Sequence, residues 1–188
     1  TRNNGKEDDN KGYVDDVYGI DTIITSGDPM DDGDHGTHVA GIIGAVGNNS
    51  KGIAGVAWKV KLMACKFLDS NGDGDTSDAI ESIDYARRMG AHILNASFGG
   101  SDYSTALFTA IQNARNAGII FVAAAGNESS NIDQIPIYPA CYALDNIVVV
   151  GGTSRSDTLD LGYSNYGATS VDLCAPGTGI YSTWGSSD

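Results

Sequence analysis

Positive charge is scarce in this chain. Its 188 residues include 11 Lys and Arg against 24 Asp and Glu, a formal net charge of −13, and such a surface repels nucleic-acid phosphates and anionic lipid. Neither nucleic acid nor a membrane surface is therefore expected as a partner. Long apolar runs are missing as well: nothing approaches the run of about 18 residues that a membrane span requires, and residues 1–9 are polar, unlike a secretory leader. The chain does not open on Met, which points to a processed or excised piece. Cysteine is sparse. Cys65, Cys141 and Cys174 show neither C-x-x-C spacing nor the density of a disulfide scaffold. Cys65, inside an apolar run, reads as a small buried hydrophobe, while spacing alone leaves open whether Cys141 and Cys174 pair in an exported protein.

What the chain has in quantity is glycine, with 25 residues, and a 41% share of hydrophobic side chains. A chain of this length buries about two-thirds of the surface it exposes when unfolded, so one compact acidic domain over residues 1–188 is expected. Residues 1–34 carry ten acidic side chains against Arg2, Lys6 and Lys11 and read as an acidic surface segment rather than core. From His35 the texture changes. Small residues and Val/Ile at helical spacing run through HGTHVAGIIGAV, then a Gly/Asn-rich loop breaks the pattern. Residues 60–68 read as a buried strand. Residues 77–89 read as an amphipathic helix capped by Ser77 and stopped by Gly90. The spacing then predicts strands at 92–95, 119–124 and 147–151, a helix at 104–117 ended by Gly118, and shorter strands at 171–174 and 179–182. Such alternation implies an α/β fold with a parallel sheet covered by helices on both faces. Ligand sites in such sheets gather at the carboxyl ends of strands, here the loops after Leu68, Asn95 and Ala125.

Three constellations sit near those places. Asp34-His35-Gly36-Thr37-His38 opens a predicted helix, where an imidazole can serve as a general base near neutral pH. A pair of structural histidines fits the same residues, and zinc has little support without H-E-x-x-H and with His92 as the one further histidine. Ala124-Ala125-Gly126-Asn127 ends a hydrophobic strand with open backbone and a side-chain amide able to donate to a developing oxyanion; a plain left-handed Gly-Asn turn is the simpler reading. Asn95-Ala96-Ser97-Phe98-Gly99-Gly100 exposes glycine backbone suited to a tight turn or to pairing with an extended peptide.

In this order, DHGTHVAGIIGAV, NASFGG, FVAAAGNE, YPA and DLCAPG resemble the subtilisin-like serine proteases, or subtilases, over residues 12–184. The resemblance implies the family's three-layer α/β sandwich with a mostly parallel central sheet. It implies His35 as the general base of an Asp/His/Ser triad, with His38 as its structural neighbour. Asn127 resembles the oxyanion donor, Ser97, Phe98 and Gly99 the edge that pairs with substrate, and Ala124, Ala125 and Gly126 the floor of the pocket for the residue before the scissile bond. Two family motifs are missing: no D-[ST]-G precedes the histidine, and no G-T-S-M-A follows before Asp188. Gly152-Thr153-Ser154 lacks the small apolar helix formers that would follow a nucleophile.

Calcium is the expected cofactor. Asp69, Asn71, Asp73, Asp75 and Asp78 offer oxygens at EF-hand-like spacing, although Ile80 stands where the closing Glu belongs. By the resemblance, residues 7–16 form a second acidic loop with Asp9 and Asp15 as ligands, where Lys11 replaces an expected oxygen; residues 47–53 resemble a family loop that ligates largely through carbonyls. The resemblance as a whole implies a secreted, calcium-stabilised, monomeric endopeptidase acting on peptides or proteins, of which this chain holds the base and oxyanion donor and is inactive by itself. A catalytically silent calcium- or peptide-binding module on the same scaffold is the rival. A nucleotide binder is disfavoured because no G-x-G-x-x-G follows a strand.

Overall fold

A computed structural model of the chain describes residues 4–7 and 12–185. The chain forms two compact units, Thr1–Ala86 with Tyr181–Asp188, and Arg87–Ile180.

The first unit contains β1 (Gly19–Asp21), α1 (His35–Gly44), β2 (Ala64–Lys66) and most of α2 (Thr76–Arg88). β1 and β2 pair in parallel, with Ile20 opposite Cys65. The reading of residues 1–34 as acidic surface is corrected by this strand. Tyr13, Asp16, Ile20, Asp21 and Thr22 are all buried, Ile20 completely. The apolar residues are scattered singly among carboxylates, and the buried carboxylates have specific partners, so average composition hides them. The Tyr85 hydroxyl donates to Asp16 Oδ2 at 2.5 Å, the Tyr13 hydroxyl donates to Glu81 Oε1 at 2.5 Å, and the two rings meet edge to face with centroids 5.5 Å apart. β2 is shorter than the apolar run that predicts it, since Val60, Leu62 and Met63 remain exposed. α2 buries Ala79, Ser82, Ile83, Tyr85 and Ala86 on one face, as its period requires. Ser77 is not its cap but lies in its first turn, because the Asp75 carbonyl already accepts from the Asp78 and Ala79 amides. Gly90, at φ +77°, ends the helical run as expected.

The second unit contains β3 (Ile93–Ala96), α3 (Thr105–Asn116), β4 (Ile120–Ala124), β5 (Ile147–Thr153) and β6 (Leu173–Pro176). The four strands form one sheet in the order β3-β4-β5-β6, and every pairing is parallel. Ser104 caps α3 by accepting from the Leu107 amide at 3.2 Å, an arrangement that satisfies an orphan helix donor. α3 buries Leu107, Ala110, Ile111 and Ala114, with Phe121, Ala123 and Val149 among the unit's buried strand residues. Residues 179–182 form no strand. The parallel register places Ala96 beside Ala123, so the segments after β3 and β4 emerge side by side at one edge.

Candidate active site

One candidate segment, in the first unit, lies at the start of α1. His35 is the first helical residue and is exposed. Asp34, before it, takes a left-handed conformation at φ 62° and makes no side-chain cap. Capping comes instead from Asp31, whose Oδ2 accepts from the Thr37 amide at 2.8 Å and its hydroxyl at 2.5 Å. Partial burial works to raise the Asp31 pKa, but hydrogen bonds from Thr37, Gly33 and Asp34 hold it below the ordinary carboxylate value. His38 is partly buried, its ring edge-on to Trp184 at 5.8 Å. Residues 182–185 strap this end of the helix: the Ser182 hydroxyl donates to the His38 carbonyl at 2.5 Å, the Thr183 hydroxyl to the Thr37 carbonyl at 2.7 Å, and the Gly185 amide to Asp34 Oδ1 at 2.9 Å. A Cβ at Gly41 would stand 2.2 Å from Thr183 Oγ1 and 2.4 Å from Ser182 Oγ, so only glycine lets the strap approach. Two imidazoles three residues apart thus have different settings, one open and one packed.

Another candidate segment, in the second unit, lies at the carboxyl ends of β3 and β4. Ser97 and Phe98 are partly buried and Gly99 is exposed; the Asn95 side-chain Nδ2 donates to Ser97 Oγ at 2.9 Å. Gly100 exchanges two backbone hydrogen bonds of 2.8 Å with Tyr138, which fixes the end of the segment. Tyr138 in turn packs into a cluster with Tyr103 and Tyr142, whose centroids lie 4.8 to 5.2 Å apart. Beside it, Ala124 ends β4, Ala125 is buried, and Gly126 turns the chain at φ +102°. Asn127 follows and is exposed; its backbone amide donates to Glu128 Oε2 at 3.0 Å.

What holds this turn was not among the expected site residues. Asn165 is fully buried, and its side chain accepts from the Glu128 and Ser130 amides and donates to the Ala125 carbonyl and Glu128 Oε2. Asp133 anchors the next stretch by accepting from the amides of Ala168, Thr169 and Ser170 and from the Thr169 hydroxyl. Hydrogen bonding from Ser170 above all, then Thr169 and Ala168, outweighs desolvation and lowers the Asp133 pKa to about 2. Neither residue carries a local signature, because each partner of its side chain lies more than 30 positions away. Ser154 sits in a hydroxyl cluster with Ser156 and Thr158, each 2.9 Å from its Oγ, in a turn and not at the start of a helix.

The expected calcium ligands are differently placed. Asp69 Oδ1 accepts from the Asn71 and Asp73 amides at 2.8 and 3.0 Å, and the Asn71 side-chain amide donates to Asp69 Oδ2. Bonds from the Asp73 and Asn71 amides lead in lowering the Asp69 pKa. Asp73 and Asp75 are exposed and Asp78 is partly buried in the first turn of α2. Asp15 accepts from the Asn4 and Gly5 amides, each at 2.8 Å, and Asp9 lies outside the described residues. Among the described residues no three His, Cys, Asp or Glu side chains converge on a common point that would hold a metal. The acidic loop in this conformation therefore does not fit a preformed carboxylate cage. Cys65, Cys141 and Cys174 are free thiols, and burial pushes the Cys65 thiol up to about 12. No helix among the described residues is long and apolar enough to cross a membrane.

The fold is an α/β architecture built on a parallel sheet, with the Ser97–Gly99 and Gly126–Asn127 segments at the carboxyl ends of β3 and β4. The chain belongs to the subtilase family, whose match spans residues 2–187. It is 39% identical to subtilisin-like protease 1 of Plasmodium vivax, over 95% of this chain and 31% of that protein. It is 43% identical to the thermophilic serine proteinase of Bacillus sp. strain AK1, over 89% of this chain and 40% of that protein. Its fold matches the crystal structure of a cold adapted subtilisin-like serine proteinase with a TM-score of 0.77 and 35% identity, over 98% of this chain and 62% of the other. The chain thus spans less than two-thirds of the length of each of these relatives.

Proposed function

We propose that this chain carries the general base and the oxyanion donor of a serine endopeptidase whose triad is completed by residues outside these 188. In that enzyme a serine Oγ attacks the scissile carbonyl of a peptide while His35 takes its proton and later returns it to the leaving amine. An aspartate supplied elsewhere holds the imidazole tautomer. Asn127 donates to the oxyanion, and an extended substrate pairs along Ser97, Phe98 and Gly99, with its side chain over Ala124, Ala125 and Gly126. The observation that carries this reading is the adjacency of the two segments, Ser97–Gly99 after β3 beside an exposed carboxamide after β4. Calcium belongs to the proposal as a stabilising ion on the Asp69–Asp78 loop, bound only after the loop rearranges, and takes no part in the chemistry. Secretion and a monomeric parent complete the reading.

The test is His35→Ala in the full-length protein, assayed on a chromogenic peptide. Turnover should fall on the order of 10⁶-fold, the scale at which a serine triad fails without its base, while His38→Ala lowers the melting temperature and retains turnover. The 188-residue chain alone should neither hydrolyse the peptide nor react with a fluorophosphonate. Stoichiometric labelling of Ser154 in that chain would overturn the assignment, and an inert full-length protein would favour the silent peptide- or calcium-binding module.

A further inference from the structure

We propose that Asn165 is the positioning residue of the oxyanion turn: it fixes the backbone that aims Asn127 without a hydrogen bond to Asn127 itself. The inference rests on the reading of Asn127 as the oxyanion donor. A carboxamide has two acceptor lone pairs and two donor hydrogens, and Asn165 uses all four on one short stretch. Its Oδ1 accepts from the Glu128 amide at 3.0 Å and the Ser130 amide at 2.9 Å. Its Nδ2 donates to the Ala125 carbonyl at 2.9 Å and to Glu128 Oε2 at 2.6 Å. Its backbone amide adds a bond to the Gly126 carbonyl at 3.0 Å. These contacts bracket residue 127 on both sides. Glu128 Oε2 also accepts from the Asn127 amide, so one carboxylate oxygen links the buried carboxamide to the backbone of the exposed one.

Gly126 gives an independent sign that the approach is close. A Cβ there would lie 2.4 Å from Asn165 Nδ2 and 2.7 Å from Glu128 Oε2, so the left-handed turn and the buried amide require each other. The clamp is itself anchored to the neighbouring strand. Ser164, also buried, accepts from the Gly152 amide at 2.7 Å and donates to the Asn165 carbonyl at 2.8 Å. The Asn127 side chain is exposed and forms no hydrogen bond of its own among the described residues. Its direction is therefore set by the turn, and an oxyanion donor displaced by a fraction of an ångström loses most of its effect. The position calls for an amide. Asp at 165 would lose both donors and set its carboxylate against Glu128, whereas Ser would be too short to reach all four partners.

The experiment uses the full-length protein with a neutral peptide substrate, each rate divided by the titrated concentration of active sites. Asn165→Asp should lower kcat about 10- to 100-fold with KM within about two-fold, the range for a displaced catalytic group. Adding Glu128→Gln should recover part of that loss by restoring a donor opposite Asp. Combined with Asn127→Ala, Asn165→Asp should cost no more than about two-fold beyond Asn127→Ala alone, since both act through one group. Glu128→Ala, at an exposed position and so tolerant of change, should lower kcat several-fold if the Asp variant does not fold. Amide hydrogen exchange across residues 125–130 should quicken in Asn165→Asp while residues 147–153 keep their protection. Wild-type kcat per active site in Asn165→Asp, or losses that multiply with those of Asn127→Ala, would overturn the proposal. An inactive wild type would sink the protease reading alone; exchange across 125–130 would then decide the clamp, which fails if the variant and wild type exchange alike.

Discussion

Two polar loops leave parallel strands in this chain and are held by opposite means. The loop after β2 closes on itself: Asp69 bonds Asn71 and Asp73, and the Asp69 amide donates to the Asp73 carbonyl, all within four residues. The loop after β4 is held from afar, by Asn165 and by the bonds between Asp133 and residues 168–170, across 35 to 40 positions. A self-closed loop can change shape or take up an ion without disturbing the rest of the fold. A loop fastened at two places to a distant segment, one of them the buried Asn165, keeps its geometry, as an oxyanion donor needs.

The contrast can be broken most sharply in catalysis. In the full-length protein Asn127→Ala should cut kcat about 100- to 1,000-fold with little change in KM, the scale for losing one oxyanion donor, because the oxyanion exists only after attack. Asp73→Ala, in the self-closed loop, should leave kcat unaltered. Steady-state kinetics on a neutral peptide would decide, and a loss confined to KM would make Asn127 a residue that positions substrate.

Stability should show the reverse sensitivity. At calcium ten times its Kd, in the millimolar range, binding to the folded state contributes about 1.4 kcal/mol, or about 3–5 °C in melting temperature for a chain of this size. Melting curves in EDTA and in millimolar calcium should show this shift in the wild type and a smaller one in Asp73→Ala. Equal shifts would move the site away from this loop.

The smallest effect is set by acid. The Asp133 pKa is lowered from 3.8 to about 2 in the folded chain, so the carboxylate's contribution is complete above the unfolded value and is lost as pH falls through the folded one. Asp133→Asn should therefore melt lower than wild type at pH 6, with the difference narrowing between about pH 4 and pH 2. A gap that stayed constant across that range would mean the loss is one of shape alone.

The same contrast marks what the amino-acid pattern could reveal. α3 and its ends were legible because Ser104, the apolar period and Gly118 lie within one window. β4 and the AAGN turn were legible for the same local reason. β1 was not, since Tyr13 and Ile20 are separated by Asp15 and Asp16, and Glu81, the partner of Tyr13, and Tyr85, the partner of Asp16, lie 68 and 69 positions away. Asn165 and Asp133 were invisible on the same grounds. Within Ser164-Asn165-Tyr166-Gly167 an asparagine reads as an ordinary turn residue, and only the folded chain shows which carbonyls and amides it meets. His35 and Asn127 stood out through their family motifs, whereas the residues that hold the second of them in place belong to no short motif.

The strap over α1 also imposes an order of events on synthesis. Residues 87–180 leave the ribosome as one continuous stretch, but the Ser182 hydroxyl that bonds the His38 carbonyl arrives 144 positions after it. At about 5–20 residues per second, the helix bearing His35 waits on the order of 7–30 s with the flank around Gly41 uncovered. That interval is the period in which a nascent-chain binder or a protease can reach the helix, and it closes only when residues 182–185 come down across it.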